Sequence, residues 1–219
     1  MMGANINMQL KEAISKRRTV RDFLDKPIPN EILKKILLDG MQAPSNSHMR
    51  NWNFIIIASN DIRMKIVGDK GEDLIKKRDP DKILDDLGFT DKFQREMYKY
   101  SIPKQAKMIL NAGVVIIPVY NQPFPLLNPK ERMHLNYFAS IWMVIENILL
   151  SAVEEGIFGV PYIPKYPDRI KSLLNIPEKY EFPCILALGY PEPNAKTFKP
   201  DPVMIDEKIH KNTWGNINL

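Results

Sequence analysis

Three short apolar runs stand out along the chain: NFIIIAS after Trp52, GVVIIPV from Gly113 to Val119, and CILALG from Cys184 to Gly189. Each is continuous and, in the first two, dominated by β-branched residues. Runs of this length predict core strands, and the first is expected to be buried on both faces. A fourth stretch, HLNYFASIWMVIENILLSAVEEG from His134 to Gly156, is too long for a strand and apolar almost all round. It predicts a central buried helix with a surface to spare for a partner subunit. Helical spacing recurs at Leu10, Ala13 and Ile14, and again at Ile32, Leu33, Ile36 and Leu37, with Asn30 as N-cap and Pro44 as the stop.

Between the first two strand runs the pattern breaks. The segment from Asp61 to Lys107 is charged and carries several helix caps, so a helical excursion or lid is expected at about 61–107. After Gly189 the chain is rich in proline and polar residues with little periodicity, as in an extended C-terminal arm, at about 190–219, or a disordered tail. Helices and strands are interleaved, which places the chain among α/β or α+β folds, and no internal repeat divides residues 1–219 into more than one domain.

Composition narrows the function classes. A chain of 219 residues with 44% hydrophobic content can bury a sizeable core. The net charge of +5 suits an anionic partner, but the charges are interspersed, which favours a small phosphate-bearing ligand over nucleic acid. Cys184 is the sole cysteine, so neither an intrachain disulfide nor a cysteine-based zinc cluster can form, and a reducing cytoplasm is the expected home. No run approaches the roughly 18 uninterrupted apolar residues of a membrane span, and MMGANINMQLKEA lacks the apolar core of a secretory signal; a soluble protein is expected. There is no GxGxxG after a strand, no GxxxxGK[ST], no HExxH and no GxSxG. With only His48, His134 and His210 available, no metal site is expected.

What remains is a constellation of four segments. SKRRTVRDF places Arg17, Arg18 and Arg21 just beyond the first helix; alone, Arg17 and Arg18 could simply complement that helix's C-terminal dipole, whereas Arg21 lies past it. The others are APSNSHMRNW from Ala43 to Trp52, EGIFGVPYIP from Glu155 to Pro164, and ALGYPEP followed by Lys196 and Lys199. In order and content these resemble the nitroreductase family of FMN-dependent oxidoreductases, with its RRSxRxF, its APSxxNxQPW, its GLG-type segment and its late LGYP followed by a basic residue. The resemblance runs from about Leu10 to the end of the chain.

The resemblance implies a compact three-layer α+β fold, with a central, mainly antiparallel sheet flanked by helices. It implies an obligate homodimer holding one FMN in each of two sites at the interface. Arg17, with Lys196 or Lys199, would meet the phosphate; Arg18 and Thr19 would complete that loop; Arg21 would face the flavin's N1 and C2 edge, where a fixed cation favours hydride acceptance. Pro44, Ser45, Asn46, Ser47 and His48 would line the flavin from the partner subunit. Pro161, Tyr162, Ile163 and Pro164 would form a loop under the ring near N5. Gln105 and Lys107 would reach the pyrimidine edge, or else form a solvated face.

Departures from the family pattern are informative. His48 stands where most members have asparagine, Arg50 where they have glutamine and Asn51 where they have proline. A histidine there looks like the iodotyrosine deiodinase branch, although it also serves as an ordinary polar contact. Glu96, Tyr100 and Lys107 loosely imitate the lid set with which that branch grips an amino-acid zwitterion. Pro164 has no N–H to offer N5. The implied activity is hydride transfer from NADH or NADPH through FMN to a flat acceptor such as a nitroaromatic or quinone, with no conventional catalytic side chain. Phe89, Phe93, Tyr98 and Tyr100 would stack on the acceptor or pack the lid on itself. Deiodinase-like reductive dehalogenation and non-enzymatic flavin binding are the alternatives.

Overall fold

A computed structural model describes residues 8–68, 79–199 and 202–217. Part of the expected lid (69–78) and the ends of the chain lie outside the described residues. The elements follow the chain as α1 (Leu10–Lys16), α2 (Asn30–Gly40), β1 (Trp52–Ile57), α3 (Asn60–Val67), α4 (Pro80–Asp86), α5 (Lys92–Ser101), α6 (Gln105–Asn111), β2 (Val114–Asn121), α7 (Asn136–Glu154), β3 (Phe158–Tyr162), α8 (Pro167–Leu173), β4 (Tyr180–Glu181) and β5 (Ile185–Gly189).

The strands form one antiparallel sheet in the order β1–β2–β5–β3, with the two-residue β4 pairing the far end of β2. Side chains alternate across it. Val114, Ile116 and Tyr120 join α2 and α7 on one face, through Leu33, Ile36, Ile141, Val144, Ile145 and Ile148. Val115, Ile117 and Val119 join α3, α6 and α8 on the other, through Ile66, Met108, Ile109 and Ile170. Three layers result, and β2 is buried on both faces as its unbroken apolar run requires.

Two sequence expectations need correction. β1 is an edge strand with Asn53 and Ile56 exposed rather than a strand buried on both faces; its run of isoleucines resembles that of β2, and only pairing partners distinguish them. Asn30 is the first helical residue of α2, not its cap: Pro29 precedes it and no side chain caps the helix.

The long apolar helix α7 has the length and hydropathy of a membrane span, yet eight of its residues are buried within the fold. It ends where Gly156, at φ +68°, lets the chain turn back so that Gly156 N–H donates to Val153 O and Ile157 N–H to Ala152 O. Within the charged excursion the expected caps are present. The side chains of Ser59, Asp79 and Asp91 accept from backbone N–H groups at the starts of α3, α4 and α5. Arg95 ties α5 to α4 through Asp81 at 3.0 Å and Asp85 at 2.7 Å. α3 and α6, by contrast, pack into the core, so the peripheral part of the excursion is narrower than its sequence bounds suggest.

Candidate active site

The first, third and fourth sequence segments are stitched together by the backbone. α1 ends at Lys16, and the chain then runs extended: Thr19 forms a parallel bridge with Gly159 of β3, and Phe23 an antiparallel one with Pro191. Leu24 N–H donates to Tyr190 O at 2.9 Å and Glu192 N–H to Asp22 O at 3.0 Å. Val20 and Phe23 are buried in the core. Arg17, Arg18, Thr19 and Arg21 therefore line a depression of about 330 Å³, joined there by Lys199 from the tail and by Phe93, Met97 and Phe198.

That depression is lined by both cationic and apolar side chains. Arg17 is 3.5 Å from Glu146, and Arg18 Nη1 donates to Arg17 O at 2.6 Å. Burial lowers the pKa of the Arg21 guanidinium, offset in part by the fields of Tyr98, Tyr100 and Asp22. Guanidinium and ammonium groups around an aromatic-capped hollow can hold a phosphate together with a planar ring. The volume lies within the roughly 300–1,000 Å³ of small-molecule sites.

Of the two tail lysines, Lys199 lines this depression, whereas Lys196 pairs with Glu96 of α5 at 3.1 Å and lies 4.6 Å from the centroid of the Phe198 ring. The remaining sequence-predicted residues fall elsewhere. Pro161 and Tyr162 are strand residues of β3 paired to Leu186 and Ile185, correcting the loop expected there; Ile163 follows, exposed, and Pro164. Gln105, Tyr162 and Pro164 line a second, largely apolar depression of about 400 Å³ with Ile83, Tyr98 and Ile102.

The second sequence segment forms a surface of its own. Ser45 and Asn46 line a small depression with Arg50, Tyr120 and Ser140, sharing no residue with the cationic one. Asn46 N–H donates to Ser140 Oγ and Arg50 N–H to Ser45 Oγ, both at 3.1 Å. This knot holds Ser47, His48 and Arg50 at φ +51°, +53° and +46°, a left-handed conformation uncommon for such residues. Pro44, Ser47 and His48 are exposed.

Sequence reasoning missed Asp22 and Lys104. The Asp22 carboxylate accepts from Lys104 Nζ at 2.5 Å and, through its other oxygen, from the Tyr100 hydroxyl; Lys104 Nζ is also 2.9 Å from that hydroxyl. Burial alone would raise the pKa of Asp22, but hydrogen bonds from Lys104 and Tyr100 outweigh it and hold the group below the usual carboxylate range. The signal was present in the i, i+4 spacing of Tyr100 and Lys104, but their carboxylate partner lies far away in sequence. Glu96 and Tyr100 are thus engaged by Lys196 and Asp22, not gathered with Lys107 into one grip. Cys184 is fully buried, and desolvation pushes its thiol up to about 12, as befits a core residue. Among the described residues no cluster of His, Cys, Asp or Glu is placed to hold a metal ion.

A backbone-tied arginine segment on the edge of an antiparallel sheet between helical layers is the arrangement of a known class: the nitroreductase family model matches residues 14–190, and the chain belongs to that family. Among its relatives is an iodotyrosine deiodinase of Danio rerio, 26% identical over 186 residues, which cover 82% of this chain and 59% of that protein. A protein of Methanothermobacter thermautotrophicus named as an NADH dehydrogenase/NAD(P)H nitroreductase is 27% identical over 215 residues, covering 94% of this chain and 88% of that one. The fold is similar to that of an iodotyrosine deiodinase crystallised with FMN and 3-iodo-L-tyrosine, at a TM-score of 0.69 and 22% identity, covering 94% of this chain and all of that one.

Proposed function

We propose that the protein is an FMN-dependent oxidoreductase that works as a homodimer, taking hydride from NADH or NADPH and passing it to a flat acceptor such as a nitroaromatic or quinone. The observation that carries this reading is one depression that gathers Arg17, Arg18, Thr19, Arg21 and Lys199 with Phe93, Met97 and Phe198. The donor set fits a phosphate-bearing aromatic group, and the FMN held by the structurally similar deiodinase supports FMN as that group. When bound, FMN supplies the capacity to accept and deliver hydride.

The chain's own residues do the rest. Arg17, Arg18, Thr19 and Lys199 hold the phosphate, and Arg21 sets positive charge at the edge where reduction leaves negative charge. Phe93, Met97 and Phe198 keep water out. The exposed, conformationally constrained loop from Pro44 to His48 serves the site of a second copy. Dimerisation is supported by apolar surface that one chain leaves uncovered: Leu10 and Ile14 of α1 are 67% and 55% exposed, and Trp214 of the arm is 90% exposed. The absence of any second cysteine to pair with Cys184 accords with a cytoplasmic setting.

A second reading, deiodinase-like reductive dehalogenation, is favoured by the names of relatives such as the Danio rerio protein. One experiment separates these. Purified protein is expected to be yellow, to bleach under anaerobic NADH or NADPH, and to recover colour with nitroaromatics or quinones. Recovery with halotyrosines alone would favour dehalogenation. Flavin reduced by neither nicotinamide would favour a carrier, and protein that takes up no FMN on reconstitution would overturn the proposal.

A further inference from the structure

Helix α5 borders two depressions. Phe93 and Met97 line the cationic one, and Tyr98, with Ile102 just past the helix end, lines the apolar one of about 400 Å³; among the described residues the two share no lining residue. The apolar depression is the larger, and it opens on the sheet face opposite α7. Its lining residues Ile66, Ile109, Ile170 and Ile185 are buried in the core on that face, whereas Leu87 and Tyr166 are 64% and 61% exposed. A buried apolar hollow that continues into exposed apolar side chains is suited to the apolar body of a small ligand, and its volume lies within the roughly 300–1,000 Å³ such sites occupy.

The charge around this hollow is one-sided. Lys165 and Arg169 line it, and among the described residues no acidic side chain does. Arg169 has its hydrogen bonds committed: Nη1 donates to Lys65 O at 2.6 Å and Nη2 to Ile66 O at 2.5 Å, carbonyls in the last turn of α3. Asp81 and Asp85, on the same helix as the lining residues Ile83 and Leu87, are held by Arg95. Lys165 is exposed, with its Nζ 5.3 Å from the centroid of the Tyr166 ring. One such cation fits one anionic end; a phosphate dianion would call for several donors. We infer that this depression is a second small-molecule site, separate from the flavin site, that takes an apolar monocarboxylate with its body among the isoleucines and its carboxylate at Lys165. Apolar burial supplies most of the affinity, and the exposed ammonium adds a smaller increment for the anion. The inference goes beyond the proposed FMN-dependent activity and does not rest on it.

The test titrates decanoate and 1-decanol, which share an alkyl chain and differ at the polar end, into FMN-saturated protein by calorimetry, with the flavin spectrum recorded alongside. Saturable binding of decanoate is expected, with FMN retained. Lys165→Gln should weaken decanoate about fivefold and leave 1-decanol within about twofold. Ala106, buried and lining the depression, offers the blocking variant: Ala106→Phe should weaken both probes at least about tenfold. Should Ala106→Phe fail to fold, Ala106→Leu adds less bulk at the same point and should move both probes the same way. Absence of saturable decanoate binding to wild type, or release of FMN as decanoate is added, would overturn the inference. So would a folded Ala106→Phe or Ala106→Leu protein with wild-type affinity for decanoate, or a Lys165→Gln protein in which the ratio of the two dissociation constants is unchanged.

Discussion

Thr19 lies beside Gly159 in a parallel bridge that fastens the arginine segment to the edge of the sheet. On its β5 side that strand has no room for a side chain at this position. A β-carbon on Gly159 would fall 2.6 Å from Ala187 O and 2.3 Å from Leu188 Cδ2. Gly159→Ala is therefore expected to cost about 3 kcal/mol, seen as a lower urea midpoint at unchanged slope. FMN affinity should fall as well, because Thr19 moves with the strand. Wild-type stability in this variant would show that the strand yields freely.

Arg63 is buried, yet its partners are neutral: Nε donates to Ile57 O at 3.3 Å, and Nη1 to Leu110 O at 3.1 Å and Ala112 O at 2.6 Å. Desolvation lowers its pKa, and these carbonyls, at the ends of β1 and α6, offset part of that cost. Arg63→Met should destabilise by about 2–4 kcal/mol, since it strands acceptors at two element ends. Arg63→Lys should rescue little, because one ammonium lacks the planar fork that reaches all three. Thermal or urea unfolding of the three proteins gives the comparison.

Lys199 and Lys196 are three residues apart and point to different partners, so they should differ in FMN titrations. Lys199→Ala is expected to weaken binding about tenfold or more, the worth of one charge-assisted hydrogen bond. Lys196→Ala removes an exposed pair with Glu96 and should change affinity by less than about threefold. The opposite ranking would move the phosphate contact to Lys196.

The Asp22 cluster should mark the acid limb of the stability curve. Because the folded pKa of Asp22 lies below its ordinary value near 3.8, its contribution is fully present above about pH 4 and is lost as pH falls through the folded value. Lys104 behaves oppositely. Burial lowers its pKa, but Asp22 and Tyr100 raise it further, so its contribution holds below its ordinary value near 10.5 and fades at higher pH. Unfolding free energies measured from about pH 2 to 5 should fall less steeply in Asp22→Asn than in wild type. Parallel curves would remove Asp22 from the acid response.

Cys184, with its thiol pushed up to about 12 and no surface exposed, should resist alkylation in the native state at neutral pH. Labelling should proceed only through opening of the core, and faster in Gly159→Ala than in wild type. Rapid native labelling would contradict the burial.

The apolar runs of β2 and β5 and the length of α7 made the centre of the fold legible, because a segment covered on both sides has few polar positions to spare. Their resemblance to β1 misled, since an edge strand and a central strand differ in what pairs with them and only slightly in composition. The family resemblance placed Pro161 and Tyr162 in a loop, and with Gly159, Pro161 and Pro164 so close together no periodic pattern announces β3. Yet Gly159 is required there by the close approach of β5, and Pro161 is accommodated without breaking the pairing with Leu186. β4, two residues long, carries no periodic signal at all.

By itself the sequence determined local patterns of charge and backbone-restricting residues: the arginines of SKRRTVRDF, the SNSH loop, the IFGVPYIP run and the tail lysines. Only the tertiary structure decided how they assemble. It joined Arg17 to Arg21 with Lys199, sent Lys196 to Glu96, placed the loop from Pro44 to His48 on a separate surface, and brought Asp22 to Tyr100 and Lys104. The reason is physical: an ion pair or a cavity wall depends on distances between residues remote in sequence, and those distances are set by how strands register and layers pack.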